Sequence, residues 1–114
     1  MNQEYFKTKN GTDLPILNLK GKPYLQVAHR ILWMREEKPR WSIETEQLVN
    51  EKDHSIFKCT IKDETGRVIA TAHGREDYKH FPDAIEKSET KSIGRALGLC
   101  GFATQFAEID FDEM

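Results

Sequence analysis

Three basic residues in the last third of the sequence recur at a spacing of four. Lys87, Lys91 and Arg95 therefore line one face of a predicted helix. Gly94 and Gly98 lie beside that row and leave bare backbone where a partner could approach closely. A glycine inside a helix costs roughly 1 kcal/mol relative to alanine, so two of them need a reason. The pattern is typical of a surface that binds a phosphate chain. It is equally typical of a solvated face whose glycines permit tight packing on a neighbour.

The helix that carries this row is predicted from Pro82 to Gly101, with a proline at its start and a glycine at its end. Its mainly apolar stripe should face a sheet. The stripe comprises Ile85, Ser88, Glu89, Ile93, Ala96, Leu97 and Cys100. A first helix is predicted from about Pro23 to Glu37, and Pro39 ends it.

Alternating hydrophobicity predicts the strands that separate the two helices. Leu14–Leu19 reads as a short edge strand, and Trp41–Val49 as the first strand of a sheet. Two further strands, His54–Lys62 and Arg67–Arg75, are joined by the turn residues 63–66.

The register of this hairpin follows from its apolar residues. If Lys62 faces Arg67, the pairs Ile61–Val68, Cys59–Ala70 and Phe57–Ala72 all share one face, as a half-buried sheet requires. The basic residues Lys58, Lys62 and Arg67 then lie on the outer face.

These elements predict an α+β fold in which a three-stranded antiparallel sheet packs on a C-terminal helix. The order is (β)-α-β-β-β-α, with 14–19 as an additional edge strand. We expect residues 1–13 to be flexible, 14–106 to form a single domain, and 107–114 to be an acidic C-terminal tail. The tail is interpreted either as a docking point for a protein partner or as disordered filler.

Composition limits the classes of function. The chain has 114 residues, 38% of them hydrophobic and 32% charged, with no apolar run of membrane-spanning length and no signal peptide. We therefore expect a cytoplasmic protein with no membrane contact, whose Cys59 and Cys100 are buried and reduced. The net charge is −2, yet residues 1–106 carry 17 bases against 15 acids because the last eight residues hold four acids and no base.

Catalysis and metal binding find little support in the sequence. The four histidines are scattered and show none of the spacings typical of zinc sites. No phosphate-binding loop for ATP is present. We therefore expect neither an enzyme nor a bound cofactor.

Nucleic-acid binding is better supported, because positive charge falls on several predicted surfaces and aromatic residues accompany it. Trp33, Tyr78 and Phe81 could stack on bases. Each of the three could equally be a core or loop residue.

The order of elements and the motif T-x-x-I-G-R-A-L-x-x-x-G at Thr90–Gly101 resemble the single-strand annealing superfamily of the Rad-fifty-two type, which includes bacterial and phage relatives. The helix YLQVAHRIL and the strand RWSIETE add to the resemblance, which covers residues 24–106. It implies an ATP-independent protein of recombination and repair that binds single-stranded DNA and anneals complementary strands. It also implies a homo-oligomeric ring or filament.

The resemblance implies that Arg30 and Arg95 hold the DNA backbone. Face assignment adds six further DNA-binding candidates: Lys58, Lys62, Arg67, Arg75, Lys87 and Lys91. Two alternatives stay open. One is a double-stranded RNA-binding module, which shares the order of helix, three strands and helix and places lysines on its last helix. The other is an oligomeric interaction scaffold that binds no nucleic acid.

Overall fold

The computed structural model describes residues 3–103 and has an α+β fold, as the sequence predicts. Two three-stranded antiparallel sheets, ordered β1-β2-β3 and β4-β5-β6, accompany two helices. The elements are β1 (Glu4–Lys7), β2 (Asp13–Leu19), β3 (Lys22–Leu25), α1 (Val27–Glu37), β4 (Ser42–Asn50), β5 (His54–Lys62), β6 (Val68–Asp77) and α2 (Ala84–Leu99).

The N-terminal strands form a separate sheet, and residues 14–19, predicted as an edge strand, belong to its central strand β2. Residues 4–7, predicted to be flexible, form β1, and residues 23–25, predicted to start the first helix, belong to β3. The reason is the Lys20-Gly21 turn, which folds the chain back so that β3 pairs with β2 at the edge of the sheet. Pro23 is tolerated in such an edge strand because the missing N–H faces no partner.

The second sheet has the predicted strands, but the register of its hairpin differs from the prediction by two residues. Ile61 pairs with Ala70, Cys59 with Ala72, and Phe57 with Gly74. A bulge at Ile61/Lys62 interrupts the ladder just before the loop. In the loop, which is longer than the predicted 63–66, Asp63 Oδ1 accepts hydrogen bonds from the backbone amides of Thr65 and Arg67. Because the error is an even number of residues, the apolar residues of β5 still face inward.

Helix α2 packs on the inner face of this sheet mainly through small residues. Ala84, Ser88, Ser92, Ala96 and Leu97 are buried, whereas Ile85, predicted to face the sheet, is 37% exposed. Gly74 explains the difference. A β-carbon added there would lie 2.5 Å from the Ser88 carbonyl oxygen and 2.7 Å from the Ser92 amide nitrogen. The helix approaches β6 so closely that only small side chains fit between them.

A single hydrophobic core joins α1 to both sheets. Met34 of α1 is fully buried, and Trp33 packs against Phe6 and Phe102 with ring centroids 4.5 and 5.1 Å away. The Trp33 indole N–H donates a hydrogen bond to Glu37, 2.8 Å away. Trp33 is therefore a core residue, and the prediction that it could stack on a base is wrong in this fold.

Two further observations bear on the predictions. Within residues 3–103, α1 and α2 are too short and too polar to cross a membrane. The acidic tail at 107–114 lies outside the described residues, as does the predicted domain end at 106.

Candidate functional site

A cleft of about 500 Å³ opens between the start of α1 and residues 83–95, which cover most of α2. It brings together four of the eight sequence-predicted site residues: Arg30, Lys87, Lys91 and Arg95. Three acids that the sequence analysis did not single out line the same cleft: Glu76, Asp83 and Glu86. The cleft is therefore mixed in charge, with a small excess of bases.

Arg30 is fully buried at the contact between α1 and α2. Its Nη1 donates to the Gly94 carbonyl at 3.1 Å and to the Phe102 carbonyl at 3.5 Å, and its guanidinium lies 5.9 Å from the Tyr24 ring centroid. A buried charge needs such compensation to be tolerated. The predicted role of Arg30 at a DNA backbone is therefore corrected, because its side chain fastens α1 to α2 at Gly94 and to Phe102, which follows α2.

Gly94 also contacts α1. A β-carbon added there would lie 2.9 Å from Val27 Cγ2 and 3.0 Å from Arg30 Nη2. The bare backbone is thus occupied by α1 of the same chain. Of the two interpretations of this glycine, tight packing on a neighbouring element is the one that the structure supports.

The two lysines of the α2 row differ in how strongly their ammonium groups are buried and paired within the fold. Lys91 is only 15% exposed, and its Nζ lies 3.3 Å from Glu76 Oε2 and donates to the Arg75 carbonyl at 3.1 Å. It fastens α2 to the edge strand β6. Lys87 is 45% exposed, with its Nζ 4.0 Å from Asp83 and 5.0 Å from the Phe81 ring centroid. Lys87 is therefore the lysine of this row that presents its ammonium group to solvent.

Arg75 and Arg95 line a second depression, together with Lys91. This depression runs past Gly74 of β6 to Ile56 of β5. Arg75 also pairs with Asp77, 3.1 Å away. Five of the eight predicted residues thus gather around α2 and the β6 edge.

The other three predicted residues lie elsewhere. Lys58 and Lys62 occupy the outer face of β5, where Glu46 is the partner of Lys58 in the β4 register and Lys62 pairs with Glu44 at 3.1 Å. The predicted basic outer face is therefore balanced by the acids of β4. Arg67 lies in the exposed β5–β6 turn, at the opposite end of the sheet from the start of α2.

A group of exposed lysines near the start of α2 was missed by the sequence analysis. The β4–β5 turn and the loop that leads to α2 meet there, because His54 pairs with Asp77 at the end of the sheet. Tyr78 fastens the two segments, since its hydroxyl donates to Asn50 Oδ1 at 2.7 Å and its amide to the Asp53 carbonyl at 3.0 Å. Lys52 and Lys79 are exposed on these segments.

We call the surface formed by Lys52, Lys79 and Lys87 the α2 end, because it lies at the N-terminal end of that helix. Acids are present beside it, among them Asp53, whose Oδ1 is hydrogen-bonded to His54 Nδ1 at 2.7 Å. That hydrogen bond lowers the pKa of Asp53. This surface can be predicted only from the pairing of the strand ends, which brings the β4–β5 turn beside the loop before α2. The sequence therefore reveals the surface only once the β5–β6 register is known.

Comparison with protein families gives one match. The model of the family described as "Slr1353 N-terminal dsRNA-binding domain-like" matches residues 31–100, which is more than half of the chain. The matched segment runs from the first half of α1 through β4, β5 and β6 to the end of α2. The curated proteins and the solved structures compared with the chain gave no match.

This match overturns the resemblance to the single-strand annealing superfamily. The order of helix, three strands and helix, on which the resemblance was based, is also the order of the matched block, and the G-R-A-L motif lies where Gly94 packs on α1. The predicted single-stranded DNA partner, annealing activity, recombination role and ring or filament rested on that resemblance and are wrong with it. The chain belongs to the Slr1353 N-terminal dsRNA-binding domain-like family.

Proposed function

We propose that this domain binds double-stranded RNA and is a binding module rather than an enzyme. The observation that carries the proposal is the family match, which runs from within α1 through the three-stranded sheet to the end of α2. Domains of this kind recognise duplex RNA mainly by its shape, through contacts to phosphates and 2′-hydroxyls. Such recognition needs exposed cations on a rigid frame, with no pocket for a base.

The α2 end supports the proposal as the contact surface. Its three lysines lie on three different segments, the β4–β5 turn, the loop before α2 and the first turn of α2. Tyr78 holds the first two segments together, and Lys87 is positioned over Phe81. Cations that are fixed relative to one another can match the spacing of phosphates across a groove, because little side-chain freedom is lost on binding.

Arg30 and Lys91 have a different part in this proposal. Their charges are engaged with the Gly94 carbonyl and with Glu76, respectively, inside the fold. They hold α1, α2 and β6 in position. Of the eight residues predicted from the sequence, we therefore assign direct RNA contact to Lys87 first.

The experiment is a fluorescence-anisotropy titration of a labelled RNA duplex of roughly 20 base pairs, somewhat longer than the ~16 that such domains span. DNA duplex and single-stranded RNA of the same sequence serve as competitors. We expect the RNA duplex to bind tightest, because A-form geometry and the 2′-hydroxyl distinguish it. Equal affinity for all three, or no binding, would contradict the proposal.

A charge-matched pair of variants places the surface. Lys87→Ala should weaken binding to every duplex sequence alike and reduce the slope of log K against log salt by about 1. Arg67→Ala removes an exposed cation at the opposite end of the sheet and should leave affinity unchanged. Equal losses from the two variants would indicate a diffuse electrostatic attraction and would remove the α2 end from the proposal.

A further inference from the structure

The β2–β3 hairpin ends in a two-residue turn whose chemistry is unusual. Leu19 pairs with Lys22, so Lys20 and Gly21 are the central residues, with φ of 53° and 81°. Turns with two positive φ values favour Asn-Gly or Gly-Gly. Lys20 is the one residue other than glycine with positive φ in the described part of the chain. A left-handed conformation costs such a residue about 1 kcal/mol, so turn geometry alone does not favour lysine here.

The two ends of the N-terminal sheet differ in how they are held. At the β1–β2 turn, the hydroxyls of Thr8 and Thr12 donate to Glu36 of α1, and Lys7 pairs with Asp13 at 2.7 Å. At the β2–β3 turn, Lys20 and Lys22 are exposed, and neither forms an ion pair with any residue in 3–103. One end is fastened to the domain, and the other presents two cations to solvent.

The free end of the hairpin extends away from the base that leads into α1. Ile16 pairs with Leu25, two residues before α1 begins, and the hairpin continues from there to the turn. Four residues at about 3.3 Å each place the tip roughly 13 Å beyond that base. The base adjoins Val27, which lines the cleft between α1 and α2. The β2–β3 hairpin is therefore an arm whose base lies beside the candidate site.

The charge of this region also departs from that of the chain. Residues 1–25 hold four lysines against two acids, whereas the chain has a net charge of −2. The turn residues Lys20 and Gly21 and their neighbours Asn18 and Lys22 are polar or lack a side chain, whereas Leu19 is half-buried. A tip with two exposed cations suits a polyanion. The family match begins at residue 31, so the arm is an addition to the matched block.

We propose that Lys20 and Lys22 contact the phosphate backbone of the same RNA duplex, beyond the segment covered by the α2 end. This inference rests on the proposed function. The arm lengthens the footprint and adds affinity without base preference, because phosphate contacts carry no sequence information. Two lysines that neutralise two phosphates release counterions, so the arm also makes binding more sensitive to salt.

The test uses the full chain and the double variant Lys20→Asn/Lys22→Gln. Asparagine suits the left-handed turn position better than lysine, so the variant should unfold at the same temperature as the wild type or higher. Lys7→Gln/Lys9→Gln is the matched control, because it removes two lysines at the fastened end of the same sheet. Binding is measured to RNA duplexes of roughly 12 and 24 base pairs, below and above the ~16 that such domains span.

We expect Lys20→Asn/Lys22→Gln to bind the long duplex about fivefold to tenfold more weakly, with the salt slope reduced by about 1 to 2, and the short duplex unchanged. The control should match the wild type on both. If the wild type prefers duplex RNA and the arm variant loses nothing on the long duplex, the arm inference is wrong and the proposed function stands. Equal losses from arm and control variants would also overturn it. A wild type that binds neither duplex would overturn both proposals.

Discussion

Helix α2 meets backbone on its sheet side and side chains on its α1 side. At Gly74 the atoms nearest to an added β-carbon are the Ser88 carbonyl oxygen and the Ser92 amide nitrogen, at 2.5 and 2.7 Å. At Gly94 they are Val27 Cγ2 and Arg30 Nη2, at 2.9 and 3.0 Å. A clash with backbone can be relieved only by displacing the helix, whereas a clash with side chains can be relieved in part by shifts of Val27 and Arg30.

The interface between α2 and the sheet is therefore a rigid seam, and the interface between α2 and α1 is a more adjustable one. The seam between α2 and the sheet also holds a hydrogen bond between Ser55 and Ser88 hydroxyls, 2.9 Å apart. The candidate cleft lies at the other seam, between α1 and α2. We therefore expect the sheet and α2 to form a fixed platform, and α1 with its attached arm to be held on it through side-chain contacts, among them the hydrogen bond from Arg30 to the Gly94 carbonyl.

The largest effect is expected for Gly74→Ala. The added methyl group must push α2 away from β6, and overpacking of this kind costs about 3 kcal/mol. Urea unfolding followed by circular dichroism measures the loss of free energy of unfolding. Thr71→Ala, on the exposed outer face of the same strand, is the control and should change stability by about 0.5 kcal/mol or less.

Cys59 reports on the same seam. It is fully buried opposite Ala72, and burial raises the pKa of its thiol to about 12. At pH 8 the wild-type thiol is therefore protonated and covered, and it should react slowly with an alkylating reagent. Gly74→Ala should speed the alkylation of Cys59. A wild-type rate in a destabilised variant would show that the seam does not open at Gly74.

Gly94→Ala tests the adjustable seam. Alanine gains about 1 kcal/mol of helix propensity over glycine. Crowding of Val27 and Arg30 costs about 2 kcal/mol, less than a backbone clash because the side chains give way. We expect a net loss of about 1 kcal/mol by urea unfolding, with alkylation of Cys59 unchanged. A loss as large as that of Gly74→Ala would remove the distinction between the two seams.

The comparison also shows which parts of the fold a sequence can predict. The alternation in His54–Lys62 gives β5 its observed bounds, because every second residue is buried against α2. The hairpin register is wrong because the Asp63 hydrogen bonds and the bulge add residues that alternation does not reveal. The strands β1 and β3 have four residues each, too few for any period to stand out.

The candidate site was predicted only in part, because the spacing of residues along the chain does not show what surrounds each of them. The spacing of Lys87, Lys91 and Arg95 correctly placed them on one side of α2, and the structure gathers them at one cleft. Spacing along a helix does not show what lies beneath it, so the commitment of Lys91 to Glu76 was missed. The burial of Arg30 was missed because a charged residue is expected at the surface. The predicted family was wrong because the prediction rested on the order of elements, which the matched block from α1 to α2 also has.

The smallest effect is expected for the polar contact within the rigid seam. Ser55 and Ser88 are fully buried, and Gln47 Nε2 also donates to Ser55 Oγ at 3.2 Å. In a double-mutant cycle of Ser55→Ala and Ser88→Ala, we expect a coupling free energy of about 0.5 kcal/mol. It is small because Ser55 keeps the contact with Gln47, and Ser88 keeps a hydrogen bond to the Ile85 carbonyl at 2.9 Å. A coupling of zero, measured by urea unfolding of all four proteins, would mean that close approach at Gly74 alone makes this seam rigid. A coupling well above 1 kcal/mol would mean that hydrogen bonding, more than shape, fixes α2 on the sheet.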